Sequence, residues 1–275
     1  MERNTLKRLV IILSLAGALI AMSACGSNSK PDPSGATSLT TGNWLLTATS
    51  STLGNNSTRQ YTMMRGALTS SNSTISAMMS VNSSVVPCYQ AAPDAFTGTI
   101  GSDGLTLTST SVDGSVMTIT GSASTANSLS GTYTSSQGTS CTTEDSGVVY
   151  GLFVPSISST NWGGTFTSSR YGLLNIDASI TQLAPGSTGI FPLSGTVTVQ
   201  GYPCFATGTI DSTNSFIQGE TVTITADAAD GSELELSAYL PNPATATEMD
   251  SGTQLLHIYG GSCSFDSGKN VTLTR

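Results

Sequence analysis

The sequence predicts an all-β protein: two tandem antiparallel domains of about eight strands each, small up-and-down barrels, with β-sandwiches as the alternative. Three observations carry this. Apolar residues alternate with Ser and Thr over short runs, the period of a half-buried strand. A set of landmarks recurs in the same order at a nearly constant offset. No stretch after the first 25 residues keeps a helical apolar stripe for three turns.

The landmarks define the repeat. Asn43-Trp44 returns as Asn161-Trp162, 118 residues later, and Pro87-Cys88 as Pro203-Cys204 at 116. Asp113-Gly114-Ser115 returns as Asp230-Gly231-Ser232 at 117, and Asp145-Ser146-Gly147 as Asp266-Ser267-Gly268 at 121. Two copies of this length are too long and too few for a solenoid, so residues 42–155 and 156–275 read as tandem domains.

Within the first copy, strands are expected to start near Trp44, Tyr61, Thr74, Phe96, Leu105, Val116, Leu129 and Val148. Ile75, Ala77, Met79 and Val81 alternate with polar or Met neighbours, and Leu105 and Leu107 with Thr106 and Thr108. In the second copy Val222 and Ile224 alternate with Thr, and Leu234, Leu236, Ala238 and Leu240 with Glu233, Glu235, Ser237 and Tyr239. Asp113-Gly114 and Asp230-Gly231 each stand between two such runs, where a hairpin turn is expected.

The N-terminus reads as an address. Arg3, Lys7 and Arg8 precede an apolar run of 14 residues, Leu9 to Met22, which is the pattern of a secretory signal over residues 1–24. The run ends in Met22-Ser23-Ala24-Cys25, which resembles the lipobox of bacterial lipoproteins, with Met22 where that family favours Leu. The resemblance implies that Cys25 carries lipid, palmitate included, and becomes the mature N-terminus; Gly26 after it points to the outer membrane. Residues 25–41 then read as the lipidated cysteine and a flexible Ser/Gly/Pro tether.

Two further resemblances bear on function. A Trp opening the first strand and Arg275 closing the last resemble the calycin arrangement of lipocalins and avidins, which implies a ligand-holding barrel. Thr160 stands in place of the Gly of Gly42-Asn43-Trp44, and the first copy has no Arg after Phe153. The Ser/Thr-rich pattern as a whole is similar to tandem-repeat envelope lipoproteins of bacteria, a likeness that implies no activity.

Composition narrows the partners. Ser and Thr number 44 and 42, while charged residues are 9% and apolar ones 37%, enough for a core if strands share it. Beyond residue 24, sixteen acids face six bases, a charge of −10 that argues against nucleic acid and polybasic lipid contacts. Setting Cys25 aside, four cysteines remain, two per copy. In an oxidising compartment pairing is expected, and duplication favours Cys88–Cys141 and Cys204–Cys263 among the three connectivities.

Little in the sequence looks like catalysis. His257, the single histidine, lies in a strand pattern without a nucleophile elbow, a metalloprotease motif or a phosphate loop beside it. Asp227, Asp230, Glu233 and Glu235 cluster at one turn, but their spacing matches no calcium loop, and a solvated face is expected. Asp113/Asp230 and Asp145/Asp266 are read as turn residues beside Gly. Met63 and Met79, with Trp44, Trp162 and Phe166, are the residues that could face a ligand, though core packing suits them equally.

The expected function is therefore a lipid-anchored envelope protein acting as a non-catalytic binding or structural module. Its partner would be a small apolar ligand, a glycan or an envelope protein; no cofactor or metal is implied, and a monomer is expected. A surface adhesin working through strand edges is the alternative, and a hydrolase in the second domain, using His257 or a carboxylate pair, a further one.

Overall fold

The structure, a computed structural model, describes residues 35–51, 61–83, 93–111, 114–139, 144–253 and 256–275. Eight antiparallel strands form the first barrel: β1 Gly42–Ser50, β2 Tyr61–Ser71, β3 Thr74–Ser83, β4 Asp94–Gly101, β5 Gly104–Ser109, β6 Met117–Thr125, β7 Ser128–Ser135 and β8 Asp145–Val154. They pair in chain order and close through β1 with β8, Trp44 opposite Phe153. The up-and-down barrel is the fold, and the sandwich is not.

The second copy makes the same ring with two interrupted staves. Its strands are β9 Ser159–Ser168, β10 Gly172–Gln182, β11 Phe191–Gln200, β12 Thr207–Ile210, β13 Phe216–Gln218, β14 Thr221–Asp227, β15 Ser232–Tyr239, β16 Glu248–Asp250, β17 Leu256–Gly260 and β18 Cys263–Thr274. β12 and β13 lie end to end between β11 and β14, and β16 and β17 do the same between β15 and β18. Pairing of β18 with β9 closes the ring.

Alternation decides what is inside. In the first barrel Trp44, Leu46, Met64, Leu68, Ile75, Met79, Phe96, Leu107, Ile119 and Val149 fill the lumen, while the Thr and Ser between them face out. The second lumen holds Trp162, Phe166, Ile176, Val197, Ile224, Leu236 and Leu273. One end of each barrel is plugged by the segment that leads into it. Leu39 and Ile157 are buried there, and the Trp44 and Trp162 indole N–H groups donate to the carbonyls of Thr40 (2.7 Å) and Ile157 (2.8 Å). Residues 36–41, expected as tether, are thus part of the barrel. Ala36 and Thr40 also donate their N–H groups to the Ala123 and Ala126 carbonyls, and the Thr40 carbonyl is the acceptor that the buried indole N–H needs.

The two tandem barrels are tightly joined. Residues 34–275 are one compact unit. The turn between β13 and β14 docks on the outer wall of the first barrel, where the Asn43 amide bonds both the carbonyl and the N–H of Gly219 (2.9 and 2.8 Å). Arg65 Nη2 meets Glu220 Oε1 at 2.5 Å, and Gln218 Nε2 donates to Ser80 Oγ at 2.9 Å. Outward-facing Leu45 (7% exposed), Met63 and Val154 pack into the second barrel's core cluster. β1 is therefore buried on both faces.

Gly189, in the connection before β11, touches the same wall. A Cβ there would lie 2.0 Å from the Met78 carbonyl oxygen, and its φ of +76° already disfavours a side chain. Gly189→Ala is expected to destabilise by about 1–3 kcal/mol and to lower the calorimetric Tm by several degrees. Gly186→Ala, with open space around it, is expected to melt like the parent.

Candidate functional site: the mouth of the first barrel

The ends opposite the plugs differ between the copies. In the first barrel the connections there span residues 51–60, 84–93, 110–116 and 136–144, against 72–73, 102–103 and 126–127 at the plugged end. In the second they span only 169–171, 201–206, 228–231 and 261–262. By sequence length, the first barrel's connections at this end exceed their counterparts in the second.

The lumen just inside that mouth is polar. Thr62, Asp94, Ser109, Ser115, Ser135 and Asp145 are buried at the strand ends that reach it. Most are tied to one another or to the backbone. Ser109 Oγ accepts from the Met117 N–H (2.9 Å), and Ser115 Oγ donates to the Ser136 carbonyl (2.7 Å). Asp145 accepts from Ser50 Oγ (2.6 Å), the Tyr133 hydroxyl (2.5 Å) and the Ser146 N–H (2.8 Å). Burial, and then the Asp145 carboxylate, push the Tyr133 hydroxyl far above the ordinary tyrosine range, so it stays a donor. Beside this rim a cleft of about 460 Å³ is lined by Val116, Thr118, Thr134, Ser136 and Glu144.

Asp94 is different. It opens β4 on the inward face, in line with Phe96 and Ile100, and is 5% exposed. Its Oδ2 has no hydrogen-bond partner. Burial alone raises its carboxyl from the ordinary 3.8 to about 6, since nothing stabilises the charged form. The flanking strands offer Met79, Val81 and Ser109 to the lumen, none of them charged.

The second barrel closes the equivalent end. Asp266 accepts from Ser168 Oγ (2.5 Å), Ser169 Oγ, the Ser267 N–H (2.8 Å) and the Tyr202 hydroxyl (3.0 Å). Burial opposes its charge, but those hydroxyls outweigh it and hold the carboxyl below its ordinary range. Tyr202 lies edge-on to Tyr171 at 5.0 Å, and the disulfide Cys204–Cys263 ties the β11–β12 connection to β18. That bond, closing a separation of 59 residues, contributes about 2–4 kcal/mol. Asp145 and Asp266 are thus not turn residues, as the adjacent Gly suggested. Each stands on a strand and faces in, joining that strand to the β1 or β9 Ser of the same copy.

The sequence-selected residues fall elsewhere. Trp44 and Met79 lie in the first core, Trp162 and Phe166 in the second, and Met63 on the outer wall between the barrels. His257 lies on the outer face of β17, 3.9 Å from Glu235 Oε2 and 5.4 Å from the Phe265 ring. Glu233 accepts from Tyr259, and Asp230 holds the β14–β15 turn by accepting from Ser232 and Ser262. Cys25, Cys88, Cys141 and Asp113 lie outside the described residues. Asp94 was missed, although extending the period of two back from Phe96 would have set it inside.

Comparison with protein-family models, with curated proteins and with solved structures finds no match to this chain.

A buried carboxyl whose folded pKa exceeds its unfolded one favours folding below the unfolded pKa, and that advantage disappears as pH rises through the folded pKa. Urea midpoints of the parent and Asp94→Asn should therefore be closest near pH 4. Between pH 4 and about 6 the parent should fall behind the variant, with a constant gap above.

Proposed function

We propose that the protein is an exported, lipid-anchored envelope module that binds a small ligand in the mouth of its first barrel, without catalysis. The observation that carries this reading is the buried Asp94 carboxylate at the end of the first barrel opposite its plug, whose Oδ2 has no hydrogen-bond partner. Natural barrels rarely leave a buried carboxylate oxygen unbonded without a use for it. Apolar side chains fill the lumen of this eight-stranded barrel, so a ligand would be held at its polar end, above them.

The second barrel reads as support. Its corresponding end is roofed by Tyr202, and its insertions serve the joint with the first barrel. The calycin-like resemblance draws support from the Arg275 guanidinium lying 5.2 Å from the Trp162 ring centre while its Nη1 donates to the Ser158 carbonyl. In the first barrel Phe153 takes that place, edge-on to Trp44 at 6.2 Å. The resemblance raises the ligand-binding reading and names no ligand.

The anchor reading rests on the signal-like N-terminus and Cys25. Acyl chains hold a protein at a bilayer because each buried methylene contributes about 0.8 kcal/mol. Labelled palmitate is expected to enter the exported protein and to be absent from Cys25→Ser. Native mass spectrometry of the exported, unlipidated form (residues 26–275) is expected to show a discrete excess mass that denaturation removes. A bare mass, with no saturable binding in a metabolite extract, would sink the binding reading.

A further inference from the structure

We infer that the ligand of the first barrel carries a cationic amine, and that its ammonium group docks on Asp94 Oδ2 inside the mouth. This inference rests on the binding reading above and gives it a chemical class.

The electrostatics are one-sided. Among the described residues, the ionisable groups facing this lumen are Asp94 on β4, Tyr133 on β7 and Asp145 on β8; no cation faces it. The strands flanking β4 present only Met79, Val81 and Ser109. Arg65 lies on the outer wall and is engaged by Glu220. Tyr133 and Asp145, on the neighbouring strands β7 and β8, are joined by a hydrogen bond, which leaves Asp94 as the uncompensated charge.

The chemistry of a single open carboxylate oxygen selects the ligand. An anion would meet the Asp94 carboxylate itself and be repelled. A neutral apolar ligand would leave Oδ2 buried and unbonded, the most costly outcome for that atom. A divalent metal needs six to eight oxygens, and no three His, Cys, Asp or Glu side chains converge among the described residues. An ammonium group supplies up to three N–H donors, which Oδ2 and the neighbouring hydroxyls can accept. The aliphatic part would then point outward from the mouth, since Met79, Val81 and Phe96 fill the lumen below Asp94.

The test uses hexylammonium and its neutral counterpart hexanol as probes, in calorimetric titrations of the exported protein. At pH 7.5 hexylammonium is expected to bind at least about tenfold more tightly than hexanol. Asp94→Asn should lose that preference, while Asp103→Asn, which removes an exposed charge at the opposite end, should keep it. Lowering the pH to 5.0 should weaken hexylammonium by about tenfold, the fall in the ionised fraction of a carboxyl titrating near 6.

Circular dichroism melts of Asp94→Asn show whether the variant folds. Should it not, the pH dependence and the hexanol comparison on the parent still decide the matter. Equal binding of both probes, or binding unchanged in folded Asp94→Asn, overturns the cationic assignment and leaves the binding module standing. No saturable hexylammonium binding up to about 10 mM overturns the assignment as well. With a bare native mass besides, the binding reading falls too.

Discussion

Closure of the two rings is the constraint on which everything else depends. A sheet with free edges leaves rows of N–H and C=O groups unpaired, and a chain this poor in charge has little with which to guard them. Pairing β1 with β8 and β9 with β18 removes both edges. It also lets a modest apolar content suffice. Inward positions form a dry lumen from alternate residues only, and the outward ones can be Ser and Thr at no cost in core. The indole N–H groups of Trp44 and Trp162 then fix the plug segments, so that closure at the circumference extends to one end.

Much of this was legible in the sequence because strand periodicity and duplication are local and repetitive. The eight strand starts read in the first copy each lie within three residues of an observed one, because Thr alternation marks both face and extent. The interruptions were not legible. Asp211 accepts from the Thr213 N–H and the Asn214 amide, making a turn that breaks one stave into β12 and β13. Such a turn looks, in sequence, like any hairpin between two full strands. Nor does anything in Gln218-Gly219-Glu220 announce that it will meet Asn43 and Arg65. Docking depends on shape and on paired polar groups that neither partner reveals alone.

The candidate site shows the same division. Asp145-Ser146-Gly147 has the composition of a turn, and its inward direction follows only once Val149 fixes the face of β8. Asp94 needs the same step from Phe96. The two carboxylates have opposite fates. Asp145, like Asp266, is surrounded by donors and fastens strands together, whereas Asp94 has none on Oδ2. Duplication supplied two equal scaffolds, and the differences lie in where each accepted extra residues. The second copy put them at the joint and at its plugged end, and its other end is shut by Tyr202, Asp266 and a disulfide. The first has its longest connections, by sequence, between the strand ends opposite its plug.

The contact between Asn43 and Gly219 joins residues 176 apart in the chain. This separation has a kinetic meaning. The first barrel has all its strands once residue 154 is made, yet the outer faces of Leu45, Met63 and Val154 stay uncovered until the β13–β14 turn follows. Loop closure over such distances makes long-range pairing slow. An N-terminal half that has folded and waits with an apolar wall exposed is the species most prone to associate with others like itself. The joint that makes the native molecule one body therefore sets a deadline for its own synthesis: the second half must arrive before two first halves meet.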